Sequence, residues 1–505
     1  TQSKNTYADA IATLNKSFND WSVNVNLGVS LSDSRYEMIG YEGGLKLINF
    51  FAVHNIDFNK AWKAKQSGWH DQTRAIFANA EIGWKSMIYL TATGRNDWDS
   101  RLAFSDYKSF FYPSIGLSAI LTSMFNAPDW LTYLKVRGSY TEVGNSYGRF
   151  MTTVTYPYDE QTQSWTSTSS YPNTKLKPER TKSWEVGLDA RILNDISLNL
   201  TYYRSNTYNQ TFYADLSLSS GYSNIPIQSG NIMNEGLEMS LGYNKQWKDF
   251  SFNTNYTLTW NKNRVKRLAD GVYNYATGQP IQMPELSPLT YGHTDARLIL
   301  RVGGSMGDVY GQRLLKRDLN GYILNEEGVG LAMENKETYL GSILPKMNMG
   351  WSLGFGYKGV NLGMTFTGRF GGIVISETQS VLDAAGVSKV SADVRDAGGV
   401  QINQSKVSAQ TYYQTIQGTA AYYTYSATNV RLGELSLSYT LPKKWFDNKV
   451  GMTVGLVGKN LWMIYCKAPF DPELTTSAAS NFYQGFDAYM LPSTRNFGFN
   501  VKFQF

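Results

Sequence analysis

The 505-residue chain holds one cysteine, Cys466, and three histidines, His54, His70 and His293. One thiol excludes a disulfide framework and a cysteine-based zinc site. Three scattered imidazoles leave little for metal or acid–base chemistry. Charged residues make up 17%, well under the roughly 25% of soluble domains. Aromatics reach 14%, so the charge-rich, aromatic-poor composition of disordered chains is excluded as well. No run of 18 apolar residues occurs, which rules out helical membrane spans. The net charge is +6, but Lys and Arg are scattered without a basic block. Nucleic-acid binding therefore has no footprint. The opening TQSKNTYADA carries no basic stretch followed by an apolar one, so no secretory signal is legible there.

What the chain does have is strict alternation with period 2. Phe497, Phe499, Val501, Phe503 and Phe505 share one face, against Asn496, Gly498, Asn500, Lys502 and Gln504 on the other. Residues 21–32 and 250–261 repeat the pattern. A strand with one apolar and one polar face is half-buried. Segments of about ten residues suit a tilted strand crossing a bilayer. The pattern predicts about 15 strands: 5–16, 21–37, 72–84, 87–97, 111–122, 132–144, 182–192, 196–211, 232–245, 250–263, 346–357, 360–371, 427–440, 450–463 and 495–505.

The connections alternate between short and long. The long ones are predicted at about 38–71, 98–110, 145–181, 212–231, 264–345, 372–426 and 464–494. Short periplasmic turns and long external loops are how outer-membrane barrels are built. A soluble β-sandwich also alternates, but it does not sort its loops into two length classes. Trp21, Trp84, Trp98, Trp247, Trp260, Trp351 and Trp462 fall near strand ends and suit interface girdles. The expected fold is therefore all-β, a transmembrane antiparallel β-barrel. An odd strand number is awkward, because bacterial single-chain barrels have even counts. An open sheet would also leave two unpaired edges in lipid. The expectation is a chain that forms the C-terminal part of a larger barrel.

Several stretches agree. They are LKPERTKSWEVGL (Leu176–Leu188), GNIMNEGLEMSLGYN (Gly230–Asn244), VRLGELSLSYTLP (Val430–Pro442), GLVGKNLW (Gly455–Trp462) and DPE (Asp471–Glu473), in that order, with Phe505 at the end. Together they resemble the SusC/RagA-type TonB-linked outer-membrane transporters. The resemblance implies a barrel of 22 strands, with a plug domain that lies outside residues 1–505. It implies a SusD-like lipoprotein lid and energy from the TonB complex through a TonB box outside this chain. It implies residence in the outer membrane of a Gram-negative bacterium, in contact with its lipid. Phe505 resembles the terminal aromatic read by the barrel-assembly machinery. Oligosaccharides or oligopeptides would be the cargo.

Three other motifs point to chemistry only on paper. Gly354-Phe-Gly356-Tyr-Lys-Gly359 matches a nucleotide fingerprint, but a strand follows where a helix is needed. Gly303-Gly-Ser305-Met-Gly307 matches a hydrolase elbow, but no later histidine exists to complete it. Asp318-Leu-Asn320-Gly321 suits a hairpin turn better than a calcium loop. No cofactor is called for beyond that weakly supported calcium alternative, and no enzyme is expected. Candidate ligand contacts are Asp97, Trp98, Arg101 and Tyr107 in one loop region, and Tyr158, Trp165 and neighbouring Glu160 in another. Asp97 and Trp98 rank first, where a strand meets the external cavity. The function expected is nutrient import. The rivals are a passive porin or adhesin barrel, and a soluble secreted carbohydrate-binding β-protein.

Overall fold

A computed structural model describes residues 1–159, 164–166, 168–228, 230–268, 272–273, 278–281, 284–326, 330–474, 476–477 and 481–505. Its main element is one 15-stranded sheet in which every strand pairs with its neighbours in sequence order. The strands are β1 (Gln2–Phe18), β2 (Trp21–Gly43), β3 (Trp62–Trp84), β4 (Ile88–Asp99), β5 (Phe110–Ile120), β6 (Leu131–Asn145), β7 (Glu179–Ile192) and β8 (Ile196–Tyr208). They continue with β9 (Asn231–Trp247), β10 (Phe250–Arg267), β11 (Met347–Tyr357), β12 (Val360–Phe370), β13 (Asn429–Leu441), β14 (Gly451–Cys466) and β15 (Asn496–Gln504). All pairings are antiparallel, as direct hairpin connections require.

The register shows why these residues form strands. One row runs Trp21, Trp84, Ile88, Ala119, Val136, Leu188, Leu200, Met239, Leu258 and Met349, each opposite the next. It is apolar throughout. A row on the other face runs Thr13, Asn26, Asn79, Thr93, Ser114, Thr141, Ser183, Ser205, Asn234 and Asn263. It is polar throughout. One face is thus built for lipid and the other for water. The half-alternation of each strand only makes sense when neighbours share it, because a one-residue slip would put polar groups in the lipid.

The short turns are set by residues at positive φ. Lys358 and Gly359 sit at 45° and 88°, and Leu193 and Asn194 at 52° and 60°. Two such residues in a row make the turn whose twist matches a hairpin. The Gly354–Gly359 fingerprint therefore closes the β11–β12 hairpin, as expected of a strand-turn-strand segment.

Most boundaries shift by four residues or fewer, and the large departure lies between β2 and β3. Residues 38–43 and 62–71 continue β2 and β3 beyond their neighbours, so the loop shrinks to 44–61. There both faces are wet and the apolar–polar contrast that marks a membrane strand disappears. At the sheet's ends, β1 pairs only with β2 and β15 only with β14.

Tryptophans gather at both ends of the lipid face. Trp21 and Trp84 pair near the short turns with ring centres 6.5 Å apart, and Trp247 stacks on Phe250 at 5.7 Å. Trp260 and Trp462 stand near the long-loop end, exposed by 38% and 60%. Such belts mark the two membrane–water interfaces.

Candidate functional site at the long-loop end

The polar face of β4 carries Arg95, Asp97 and Asp99 at i, i+2 and i+4. Alternation alone puts them side by side. Asp97 is buried and accepts hydrogen bonds from Arg95 Nε (2.7 Å) and from the Tyr112 hydroxyl of β5 (2.8 Å). Asp99 is buried too. It accepts from Arg101 Nη2 at 2.6 Å, from the Arg101 backbone N–H at 2.9 Å and from Ser146 Oγ at 2.8 Å. The Arg101 backbone bond caps a short 3-10 turn, so the chain folds back where β4 ends. On β3, Asp71 binds Arg149, whose guanidinium lies 3.7 Å from the centre of the Trp69 ring. Each carboxylate is thus held by a fixed cation or hydroxyl. The arrangement presents oriented donors and acceptors to a polar ligand.

Trp98 points the other way. Adjacent strand residues face opposite sides, and Trp98 shares the lipid side with Leu90 and Ile76. It lines a shallow apolar groove of about 920 Å³ with Ala10, Val29, Leu31 and Ile76. Of the two residues ranked first, Asp97 and Trp98, only Asp97 meets the lumen; Trp98 belongs with the girdle residues. The structure brings Asp97 close to Asp99 and Arg101. Tyr107 stands apart in loop 100–109, under Lys177 at 5.6 Å. Tyr158 and Trp165 form a small hairpin of their own, ring centres 5.1 Å apart, and Trp165 is 71% exposed. Among the described residues, no hydrogen bond, ion pair or ring contact joins that pair to Asp97. Glu160 lies outside the described residues. Sequence reasoning missed Arg95, whose i, i+2 spacing to Asp97 on a strand was the available signal. It also missed Asp71 and Arg149, which lie far apart in the chain.

Three long connections, 268–346, 371–428 and 467–495, fold together at the same end. Their shared core contains Tyr291, Leu298 and Val309 from the first, Ile375 and Ala420 from the second, and Phe486 from the third. Glu377 ties all three. It accepts from the His293 backbone, pairs with His293 Nδ1 at 2.9 Å and accepts from the Tyr489 hydroxyl at 3.2 Å. Beside it, Ser376 caps the helix Glu377–Ala384 and donates to Asp487 at 2.6 Å. Asp308 is buried, and burial pushes its carboxyl above the ordinary value despite bonds from the Ser305 backbone and Tyr339. Burial, together with Asp308, pushes the Tyr339 hydroxyl up to about 12.

The other two suspect motifs resolve in these loops. Ser305 sits in a turn, its backbone N–H bound to Asp308 Oδ2 at 2.8 Å. Asp318 Oδ1 accepts from the backbone of Asn320 and Tyr322, and Gly321 takes φ +87°, which is hairpin-turn geometry. Phe505 follows β15 at the short-turn end and is 96% exposed.

Known proteins place this architecture. Residues 1–461 match the family described as TonB dependent receptor-like, beta-barrel. The TonB-dependent receptor P3 of Formosa agariphila is 24% identical over 99% of this chain and 52% of its own length. The TonB-dependent receptor SusC of Bacteroides thetaiotaomicron is 25% identical over 47% of this chain and 22% of its own length. The solved RagAB peptide transporter shares the fold, with TM-score 0.72 and 20% identity over 92% of this chain and 51% of that one. The chain spans about half the length of the full-span curated relatives it matches. Its place is the bacterial outer membrane. With an apolar lipid face, a polar lumen face and a folded long-loop end, the chain belongs to the TonB-dependent receptor family as part of its β-barrel.

Proposed function

We propose that this chain is the C-terminal barrel portion of a TonB-dependent importer for oligosaccharides or oligopeptides. The observation that carries the reading is the polar lumen wall joined to a mouth of paired charges and folded loops. Outer-membrane barrels in general carry long external loops; the match of residues 1–461 to the TonB-dependent receptor family is what favours a gated receptor over a passive pore. The long-loop end faces outward, where a SusD-like lipoprotein would seat. Further strands would pair with the free edges of β1 and β15, since unpaired edges are not viable in lipid. A plug outside this chain would couple to TonB. The chemistry is binding and gated passage, with no covalent step. Asp97, Arg101 and the residues that hold them contact ligand, while Tyr107, Tyr158 and Trp165 meet the ligand or the lid. Phe505 serves as the barrel-assembly signal.

The test is affinity capture from detergent-solubilised outer membranes, with a tag in one long loop and mass spectrometry of what co-purifies. Recovery of a SusD-like lipoprotein and a plug-bearing portion is expected. A membrane-bound barrel that purifies without either would favour a porin or adhesin.

A further inference from the structure

The lipid face of β7–β10 changes character toward the long-loop end. Tyr202, Leu237 and Trp260 lie side by side on β8, β9 and β10. One step further out on the same face come Arg204, Glu235 and Lys262, again side by side. The next step carries Lys182, Asn206, Met233 and Arg264. The charges do not cancel. Glu142 takes up both Arg180 at 3.0 Å and Lys182 at 3.1 Å. Lys262 stands 3.8 Å from Glu235, too far for a hydrogen bond. The Arg204 and Arg264 side chains have no ion pair or hydrogen bond among the described residues.

Two unpaired guanidiniums and one loosely paired ammonium therefore sit directly above an aromatic belt. We propose that Arg204, Lys262 and Arg264 bind the phosphate of an anionic membrane lipid. Its acyl chains would lie along Trp260 and the Leu200–Met239–Leu258 row beneath. Strand spacing sets the fit. Strands lie about 4.8 Å apart, so Arg204 and Lys262 flank β9 at about 10 Å, room for a headgroup between them. Trp184 lies level with Arg204 on β7 and packs on Tyr202 of the row beneath, ring centres 5.4 Å apart. A free anion would meet only the cations, which face water and salt. A lipid phosphate is held at this depth by its own chains, so the same cations act on a far higher local concentration. Basic residues beside a membrane surface gain about 1 kcal/mol each from anionic lipid, close to fivefold in affinity.

The test uses the full-length protein in detergent, read by native mass spectrometry. Phosphatidylglycerol, phosphatidylcholine and inorganic phosphate are the probes. The expected result is a phosphatidylglycerol adduct that phosphate at millimolar level does not displace and phosphatidylcholine does not match. Arg204→Gln with Arg264→Gln should weaken it about thirtyfold, and Arg264→Gln alone about fivefold. Lys63→Gln, on the hairpin beyond the membrane, should leave it unchanged. Heat-modified gel mobility checks that each barrel is folded; if the double variant fails that check, Arg264→Gln alone decides. Equal binding of phosphatidylcholine, displacement by inorganic phosphate, or full affinity in folded Arg264→Gln would each overturn the proposal.

Discussion

Arg431 and Asp471 meet in two parallel hydrogen bonds of 3.0 and 2.8 Å, and both side chains are nearly buried. Arg431 belongs to β13 and Asp471 to the last long connection. The pair therefore pins a loop to the barrel wall. Asn429 Oδ1 accepts from the same guanidinium at 3.1 Å, so four of its five N–H groups are engaged.

Removing one partner should cost more than removing both. Arg431→Ala leaves a buried carboxylate without its cation, which costs about 3–5 kcal/mol. Burial alone would push the Asp471 carboxyl up, but the Arg431 guanidinium, the Glu473 backbone N–H and Ser493 together outweigh it and hold the carboxyl below its ordinary value. A lowered carboxyl stabilises above its unfolded value, and that contribution is lost as pH falls through the folded pKa. Limited proteolysis of 467–495 should therefore stay slow at neutral pH and accelerate in acid. In Arg431→Ala it should be fast even at neutral pH. A variant as resistant as wild type would show that the pair does not hold the loop.

Asp308 has the opposite sign. Burial raises its pKa, so folding binds the proton and stability is greatest below about pH 3.8. That advantage fades as pH rises through the folded pKa. Asp308→Asn keeps an acceptor for the Ser305 N–H and adds a donor toward Tyr339. It should flatten the acid dependence of the loop sheet and leave the loop at least as stable at neutral pH. Thermal melts across pH read this; an unchanged profile would count against it.

The core shared by the three long connections predicts joint loosening. Phe486 is 2% exposed and touches Tyr291 with ring centres 5.2 Å apart. Phe486→Ala should cost about 3–5 kcal/mol locally. Hydrogen exchange should then rise together in Arg297–Arg301, Ile373–Ser376 and Thr424–Ser426, although only one loop was changed. A rise confined to the last connection would mean the three do not share a core in solution.

The membrane strands were legible because lipid and water impose opposite demands on alternate residues. Where that contrast ends, so does the signal. Residues 38–43 and 62–71 read as loop because neither face meets lipid there. The loop strands were hidden for a related reason. Leu298, Ile299 and Leu300 are all buried, so their run has no period to read. The loop core was beyond reach of any local pattern, since Tyr291, Ile375 and Phe486 come from three separate connections. In the site, alternation could have separated Asp97 from Trp98, because neighbours on a strand never share a face.

The two faces also respond differently to charge. Leu258 lies in the apolar row, and its neighbour Thr259 lies opposite Glu238 on the polar face. Leu258→Arg, two residues inside the Trp260 belt, should cost about 1–2 kcal/mol, between the values for a cation at the interface and at the bilayer midplane. Thr259→Arg places its charge in water beside a carboxylate and should cost far less. Urea titration of the folded barrel in detergent micelles distinguishes them, and equal costs would contradict the assignment of faces.

Asp97 and Trp98 give the sharpest local test of that assignment. In a Cys466→Ser background, Arg95→Cys, on the same face as Asp97 and half-buried where Asp97 is closed in, should react with a charged, water-soluble thiol reagent. Trp98→Cys should react slowly, because its thiol faces lipid and ionises poorly there. Brominated acyl chains should quench the emission that Trp98→Phe removes. The functional consequence follows from the same geometry. Asp97→Ala frees Arg95 and Tyr112 and removes a charged hydrogen-bond acceptor, a loss of about 1.5–3 kcal/mol or more than tenfold in ligand affinity. Trp98→Ala should leave ligand affinity unchanged while loosening the lipid-side packing. A fast-reacting Trp98→Cys would return that side chain to the lumen and restore it as a ligand contact.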